Sequence, residues 1–147
     1  GKLFAVGGIF KNRHKSGEYL DLKNVDAGWK KLPDMNITRE AVAFGDGKLF
    51  AVGGASDIGW LKSGEYLDLK KVNEGWKKLP DMNTERTGLG VAVGDGKLFA
   101  VGGNFGKNRH ESGEYLDLKN VDAGWKKLPD MNITREAVAF GDGKLFA

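Results

Sequence analysis

The sequence predicts an all-β protein made of stacked four-stranded antiparallel units, and three observations carry that prediction. The octapeptide Gly47-Lys48-Leu49-Phe50-Ala51-Val52-Gly53-Gly54 recurs at Gly1–Gly8 and Gly96–Gly103 and, cut short, at Gly143–Ala147. Its copies start 46, 49 and 47 residues apart, and self-similarity at such a period marks supersecondary units that stack on one another. The apolar runs are also too short for helices, and no stretch longer than 11 residues is free of both Gly and Pro, which leaves helices little room.

Taken in order, Leu3-Phe4-Ala5-Val6 shows no alternation of apolar and polar residues, so both faces of this strand must be covered. Gly7-Gly8 ends it, and paired glycines at this place suit a close approach of backbones near a crowded centre, or a simple turn. A polar loop follows from Ile9 to Gly17. Glu18-Tyr19-Leu20-Asp21-Leu22 then alternates and reads as a half-buried strand. Asn24 to Gly28 supplies turn residues, and Trp29-Lys30-Lys31-Leu32 gives a short strand that Pro33 stops. Arg39 to Phe44 is a further apolar strand, joined to the next copy by Gly45-Asp46-Gly47, the residue types of a tight hairpin. Four strands per period result.

Apolar content falls along each unit, from Ala41–Phe44 and Leu49–Val52 through Tyr66–Leu69 to the lysine-rich Trp76–Leu79. Each sheet is therefore expected to run from a buried inner strand to a wet outer one. Such a unit cannot bury its faces alone and must stack on its copies, which is the arrangement of a β-propeller, with a period near 50 typical of its blades. Residues 1–147 divide on this reading into repeats 1–46, 47–95 and 96–142 and a partial one, 143–147.

The ordered set of a glycine pair (Gly7-Gly8, Gly53-Gly54, Gly102-Gly103), a tyrosine (Tyr19, Tyr66, Tyr115), a tryptophan (Trp29, Trp76, Trp125) and an arginine before the next strand (Arg39, Arg86, Arg135) resembles the kelch repeat, three times over the whole chain. The resemblance implies blades of four antiparallel strands, the innermost following the Arg, with Tyr and Trp packed between adjacent blades. Two spacings depart from the family. Tyr to Trp is 10 residues in every copy, which predicts an extended hairpin between the outer strands. Arg86 to Gly96 spans 10 residues, whereas Arg39 to Gly47 and Arg135 to Gly143 span 8, a difference that falls on the register of the inner strands.

Residues 11–51 and 107–147 agree at 40 of 41 positions, Lys15 against Glu111 being the exception. This reads as a recent duplication of a two-blade block, with a designed repeat as the alternative. Three blades do not close a ring, and an open stack leaves apolar faces and strand edges uncovered. Further blades from a longer chain, or from a second copy, are expected to cover them. Because residues 143–147 repeat residues 1–5, a head-to-tail dimer sets two strands competing for one place, which favours the longer chain.

Composition narrows the chemistry. Lys plus Arg number 23 against 20 Asp plus Glu, a net +3, too small and scattered to argue for nucleic acid. No apolar run approaches a membrane span, and no charged-then-apolar leader is visible; the expectation is a cytoplasmic chain. Asn36-Ile37-Thr38 and Asn132-Ile133-Thr134 would be glycosylation acceptors only in a secreted one. The absence of cysteine excludes disulfides, thiolate metal sites and a cysteine nucleophile, and with them the Cys-linked tyrosine of the galactose-oxidase relatives of this fold. His14 and His110 lie on loops two blades apart and read as solvated residues rather than metal ligands. Asp21, Asn24 and Asp26 loosely resemble a calcium loop, but the middle copy replaces two of these positions with Lys71 and Asn73, so turn chemistry is preferred. Neither a nucleophilic triad nor a carboxylate pair can be assembled.

What remains is surface. The loops after the glycine pairs are expected on one face, where Lys11, Arg13, His14, Lys15, Trp60, Phe105, Arg109 and His110 form a rim of arginines and exposed aromatics, the composition of interface anchors. The expected function is a non-catalytic scaffold of kelch type that binds another protein through this face, without cofactor or metal. Partners of the sort that the resemblance implies are cytoskeletal filaments or peptide segments of client proteins. The alternative is a carbohydrate-binding or enzymatic propeller, which needs acidic and aromatic residues converging on the central channel.

Overall fold

The computed structural model describes residues 1–10 and 12–147, residues 9 and 10 by their backbone alone. The first sheet holds β1 (Lys2–Val6) and, after a small ribbon of β2 (Ile9–Phe10) and β3 (Asn12–Arg13), β4 (Gly17–Asp21) and β5 (Lys30–Leu32), in the order β1-β4-β5. In the second sheet, β6 (Val42–Gly45) and β7 (Lys48–Val52) precede the ribbon of β8 (Ala55–Ser56) and β9 (Gly59–Trp60), followed by β10 (Gly64–Asp68) and β11 (Lys77–Leu79), in the order β6-β7-β10-β11. The third repeats this plan with β12 (Gly90–Gly94), β13 (Lys97–Val101), the ribbon of β14 (Asn104–Phe105) and β15 (Asn108–Arg109), β16 (Gly113–Asp117) and β17 (Trp125–Lys127). A last sheet pairs β18 (Ala139–Gly141) with β19 (Lys144–Phe146).

The protein is thus all-β, with propeller-like blades of four antiparallel strands. Among the described residues the only helical elements are the 3₁₀ turns Val25–Ala27, Val72–Glu74 and Val121–Ala123. They occupy the long hairpin before each fourth strand, where the Tyr-to-Trp spacing predicts extra length. The hairpins entering β7, β13 and β19 turn through Asp46, Asp95 and Asp142, each near φ +50°, as the Gly-Asp-Gly sequence requires.

The unequal Arg-to-Gly spacing does not reach the register. Val42 faces Ala51 and Phe44 faces Leu49 in the second blade, and Val91 and Val93 face Ala100 and Leu98 in the third. The two extra residues are taken up before the strand, where Thr87 bridges to Asn104 and Gly88 turns at φ +60°.

Burial corrects the expected inner-to-outer gradient. The most buried strands are the second ones, β7 and β13, in which Ala51, Val52, Leu98 and Ala100 are nearly inaccessible, whereas Phe44 on the innermost β6 is 54% exposed. A second strand has paired strands at both edges and neighbouring blades over its faces, while an innermost strand has one free edge towards the centre. The glycines that let inner strands approach are also not the twin ones. A Cβ at Gly45 would lie 2.3 Å from Val93 Cγ1, and one at Gly94 would lie 2.1 Å from the Phe140 ring. The twin glycines serve a different approach. Gly53 sits at φ +61°, and a Cβ there would be 2.6 Å from the carbonyl oxygen of Arg86 in the linker to the next blade.

Between blades lie two apolar cores. Leu32 and Met35 meet Leu49, Ala51, Leu67 and Trp76 at the first seam, and Leu79 and Met82 meet Leu98, Ala100, Leu116 and Trp125 at the second. Trp76 and Trp125 donate their indole N–H to the carbonyls of Pro33 and Pro80 at 2.8 and 2.9 Å, tying each blade to the end of the one before. The third strand is covered on both sides: Leu67 packs into the first seam and Tyr66 against the second. Tyr19 packs against the first seam, whereas Trp29, on the face of the first sheet that no described blade covers, is 46% exposed.

Each seam is locked by a buried ion pair that the sequence alone does not reveal. Arg39 donates from Nε to Glu65 Oε1 at 3.0 Å, from Nη1 to the carbonyls of Gly53 and Ser63 at 3.2 and 2.5 Å, and from Nη2 to Ser63 Oγ at 2.9 Å. Glu65 further accepts from the backbone and side-chain N–H of Asn36 at 3.0 and 2.7 Å. Arg86, Glu114, Gly102, Ser112 and Asn83 repeat this clasp one blade on. Both glutamates are 1% exposed, so each charge depends on the other and on the surrounding donors. Replacing Arg86 by Ala should lower the unfolding free energy by about 3 to 5 kcal/mol, the cost of stranding a buried partner. Arg86→Lys should recover little, because an ammonium cannot reproduce the guanidinium fork; urea unfolding of the three proteins checks both.

Candidate partner-binding loop face

The three ribbons β2-β3, β8-β9 and β14-β15 follow the twin glycines and occupy one end of the strands. They divide the predicted rim into two clusters. Over the first seam, Arg13 reaches across to the second blade, donating from Nη1 to Glu40 Oε1 at 2.9 Å and to the carbonyl of Ala55 at 2.5 Å. His14 and Lys15 lie exposed beside it, and Lys11 lies outside the described residues.

Over the second seam, Trp60 of β9 meets Phe105 of β14 edge to face, with ring centroids 4.8 Å apart and planes at 64°. Both remain open to solvent, at 46% and 38%. The Trp60 ring also lies over Gly106, where a Cβ would sit 3.4 Å from Cη2. Trp60 therefore has a structural contact as well as an exposed surface. Ile58, at the tip of the same ribbon, is 81% exposed and extends the apolar patch. Sequence reasoning missed it, although an isoleucine in the polar Ser56-Asp57-Ile58-Gly59 turn is the signal that could have found it. Arg109 on β15 is exposed.

His110 does not share the solvated position of His14. Its backbone N–H binds the Gly103 carbonyl at 2.8 Å, and its Nε2 is buried without a hydrogen-bond partner. It lines a cleft of about 280 Å³ with Lys62, Asn83, Thr84, Glu85 and Phe105. Burial first, and the nearby Arg86 charge second, hold its pKa below the ordinary 6.5, while a hydrogen bond to the Glu85 backbone pulls the other way. Among the described residues no group of three or more His, Asp or Glu side chains stands close enough to hold a metal ion. None of the described helices is long and apolar enough to cross a membrane. An aromatic pair between basic side chains is suited to holding an apolar or aromatic anchor beside an acidic group.

Two outcomes follow for stability. Trp76→Ala should cost about 3 to 5 kcal/mol, as for a buried aromatic truncated in a core, whereas Trp60→Ala should cost about 0.5 to 1.5 kcal/mol, the worth of one exposed aromatic pair; denaturant unfolding measures both. For His110, the unfolded chain takes up the proton first as pH falls, because the folded pKa is the lower one. The stability held by this residue is complete above about pH 6.5 and drains as pH drops through the folded pKa. The midpoint of thermal unfolding should therefore fall between about pH 7.5 and about pH 5.5, and His110→Gln should flatten that dependence.

Residues 85–132, which hold Arg86, Gly102-Gly103, Tyr115 and Trp125, match the kelch motif. Among solved structures, one described as "Structure of YjhT" is similar with a TM-score of 0.79 at 15% identity, over 99% of this chain and 55% of that one. The chain thus spans about half the length of the structure it matches, and at that identity the likeness speaks for the fold alone. No curated protein matches in sequence. Residues 85–132 thus carry a kelch motif whose residues clasp the second seam, within a fold of four-stranded β-propeller blades.

Proposed function

We propose that this chain is a non-catalytic scaffold that holds another protein through the ribbon face, with Trp60 and Phe105 as its anchors. The observation that carries this reading is the exposed edge-to-face pair joining two blades. Aromatic side chains left half in water on a rigid base are the usual energetic centres of protein interfaces. The buried carboxylates Glu65 and Glu114 are occupied by Arg and Asn donors, which leaves them poorly suited to acid-base work. Around the aromatic pair, Arg109 and Lys62 are exposed. The segment that fits carries an apolar or aromatic side chain next to Asp or Glu.

Selection of the immobilised chain against a displayed peptide library should enrich such segments. The Trp60→Ser, Phe105→Ser double variant should lose the enrichment while keeping its β-rich circular dichroism. Binding to arrayed glycans with no peptide enriched would overturn the proposal in favour of a carbohydrate-binding propeller.

A further inference from the structure

Between the second and third blades, at the end of the strands away from the ribbons, lies a pocket of about 450 Å³. Both blades that form it have all four strands, so its walls owe nothing to the ends of the chain. One wall comes from the second blade. It is made by Phe50 and Tyr66, cross-strand partners on β7 and β10 with ring centroids 6.3 Å apart, together with Leu79 of β11. The other wall comes from the third blade: Leu118, just after β16, and Val121 of the 3₁₀ turn in the outer hairpin. Phe50 and Leu79 are buried, whereas Tyr66, Leu118 and Val121 keep part of their surface open. The tight packing of the seam thus gives way here to open apolar surface. A mainly apolar space with a few polar groups suits a small molecule, for which volumes of about 300 to 1,000 Å³ are usual.

Those polar groups favour one charge. Lys48, at the start of β7, and Lys119, next to Leu118, both line the pocket. Lys119 lies back across the β12-β13 hairpin, with its Cε 3.6 Å from where a Cβ on Gly96 would sit. Among the described residues neither ammonium has an ion pair, whereas Lys71 and Lys77 are both held by Glu74. The Tyr66 hydroxyl likewise has no hydrogen-bond partner among the described residues. Lys78 also borders the pocket, but it stands opposite Glu65, which faces the first seam, so its side chain is directed to the other side of the sheet. One acid, Asp46, shares the lining. Two ammoniums against one carboxylate leave the pocket net positive, a balance that a single anionic group matches.

The geometry points to a binding site for a small aromatic carboxylate. Its flat ring system lies between the Phe50–Tyr66 wall and the Leu118–Val121 wall. Its carboxylate, at the mouth, accepts from the Lys48 and Lys119 ammoniums and from the Tyr66 hydroxyl. Rings on one wall favour an aromatic body over an acyl chain, because an aromatic pair contributes more than the area it buries. The charge-assisted hydrogen bonds set the orientation. This site lies apart from the ribbon face and does not depend on the function proposed for it.

Titration of the nitrogen-15-labelled chain with 2-naphthoate, followed through its amide NMR shifts, tests the inference. Saturable shifts should gather on Lys48, Phe50, Gly96, Leu118, Lys119 and Val121. Lys48→Gln and Lys119→Gln should each weaken binding about 2- to 5-fold, the worth of one partly screened charge. Lys127→Gln, at an exposed position of β17 outside the pocket, should leave binding unchanged, as should the Trp60→Ser, Phe105→Ser variant. The uncharged analogue 2-naphthalenemethanol should bind at least about 5-fold more weakly, since it forgoes the charge-assisted bonds. Shifts that fail to saturate, or that gather elsewhere, overturn the inference. So do an alcohol that binds as well as the acid, lysine changes that are not felt, or decanoate, which has the charge but no ring, binding more tightly than 2-naphthoate.

Discussion

The arginine that enters each seam from the linker is the constraint around which the blades are arranged. Arg39 and Arg86 lie almost wholly buried, and an isolated guanidinium in that setting would be costly. Each of its nitrogens is therefore answered by the next blade: a glutamate on the third strand, the hydroxyl and carbonyl of the serine before that strand, and the carbonyl of the first twin glycine. Those acceptors converge only if the second and third strands of the blade pair in register and the chain turns sharply after Val52 or Val101. The glycine at the turn, the strand pairing and the linker path are thus fixed together. Desolvation pushes the Arg86 pKa down and Glu114 pulls it back, so the charge is held by its partner rather than by water.

Around this clasp the apolar seams form layers of their own. Trp76 and Trp125 close the outer side of the two seams and hand their N–H to the preceding blade, while Leu67 and Leu116 of the third strands fill the middle. Blade is joined to blade by the same contacts each time, as expected of a stack in which every unit touches only its neighbours.

How much of this was legible in the sequence follows from the range of each interaction. The repeated octapeptide, the tight Gly-Asp-Gly turns and the long outer hairpin are local, and the chain spells them out. The burial of Glu65 is different. In Glu-Tyr-Leu-Asp-Leu a glutamate reads as the solvent side of a half-buried strand, and only Arg39, 26 residues away, makes it an interior residue. The hub was misread for a related reason: the twin glycines are conspicuous in sequence, but the inner strands approach through Gly45 and Gly94, whose partners Val93 and Phe140 belong to the next sheet. On the ribbon face, composition singled out Trp60 and Phe105 but not that they touch. Two histidines that follow the same Lys-Asn-Arg also proved unlike, because the blade next to His110 buries its Nε2 and His14 remains exposed.

The two additional residues ahead of β12 have a further meaning. They loop out at Thr87-Gly88, find hydrogen bonds with Asn104 of the neighbouring ribbon, and leave every pairing downstream where it was. The entrance to a blade therefore acts as an expansion joint, a spot where insertions can accumulate over evolutionary time without being felt by the sheet. Because the slack is taken up against a ribbon of the outer face, lengthening there reshapes the rim while the hub stays as it is, and diversity of surface comes at little risk to the fold.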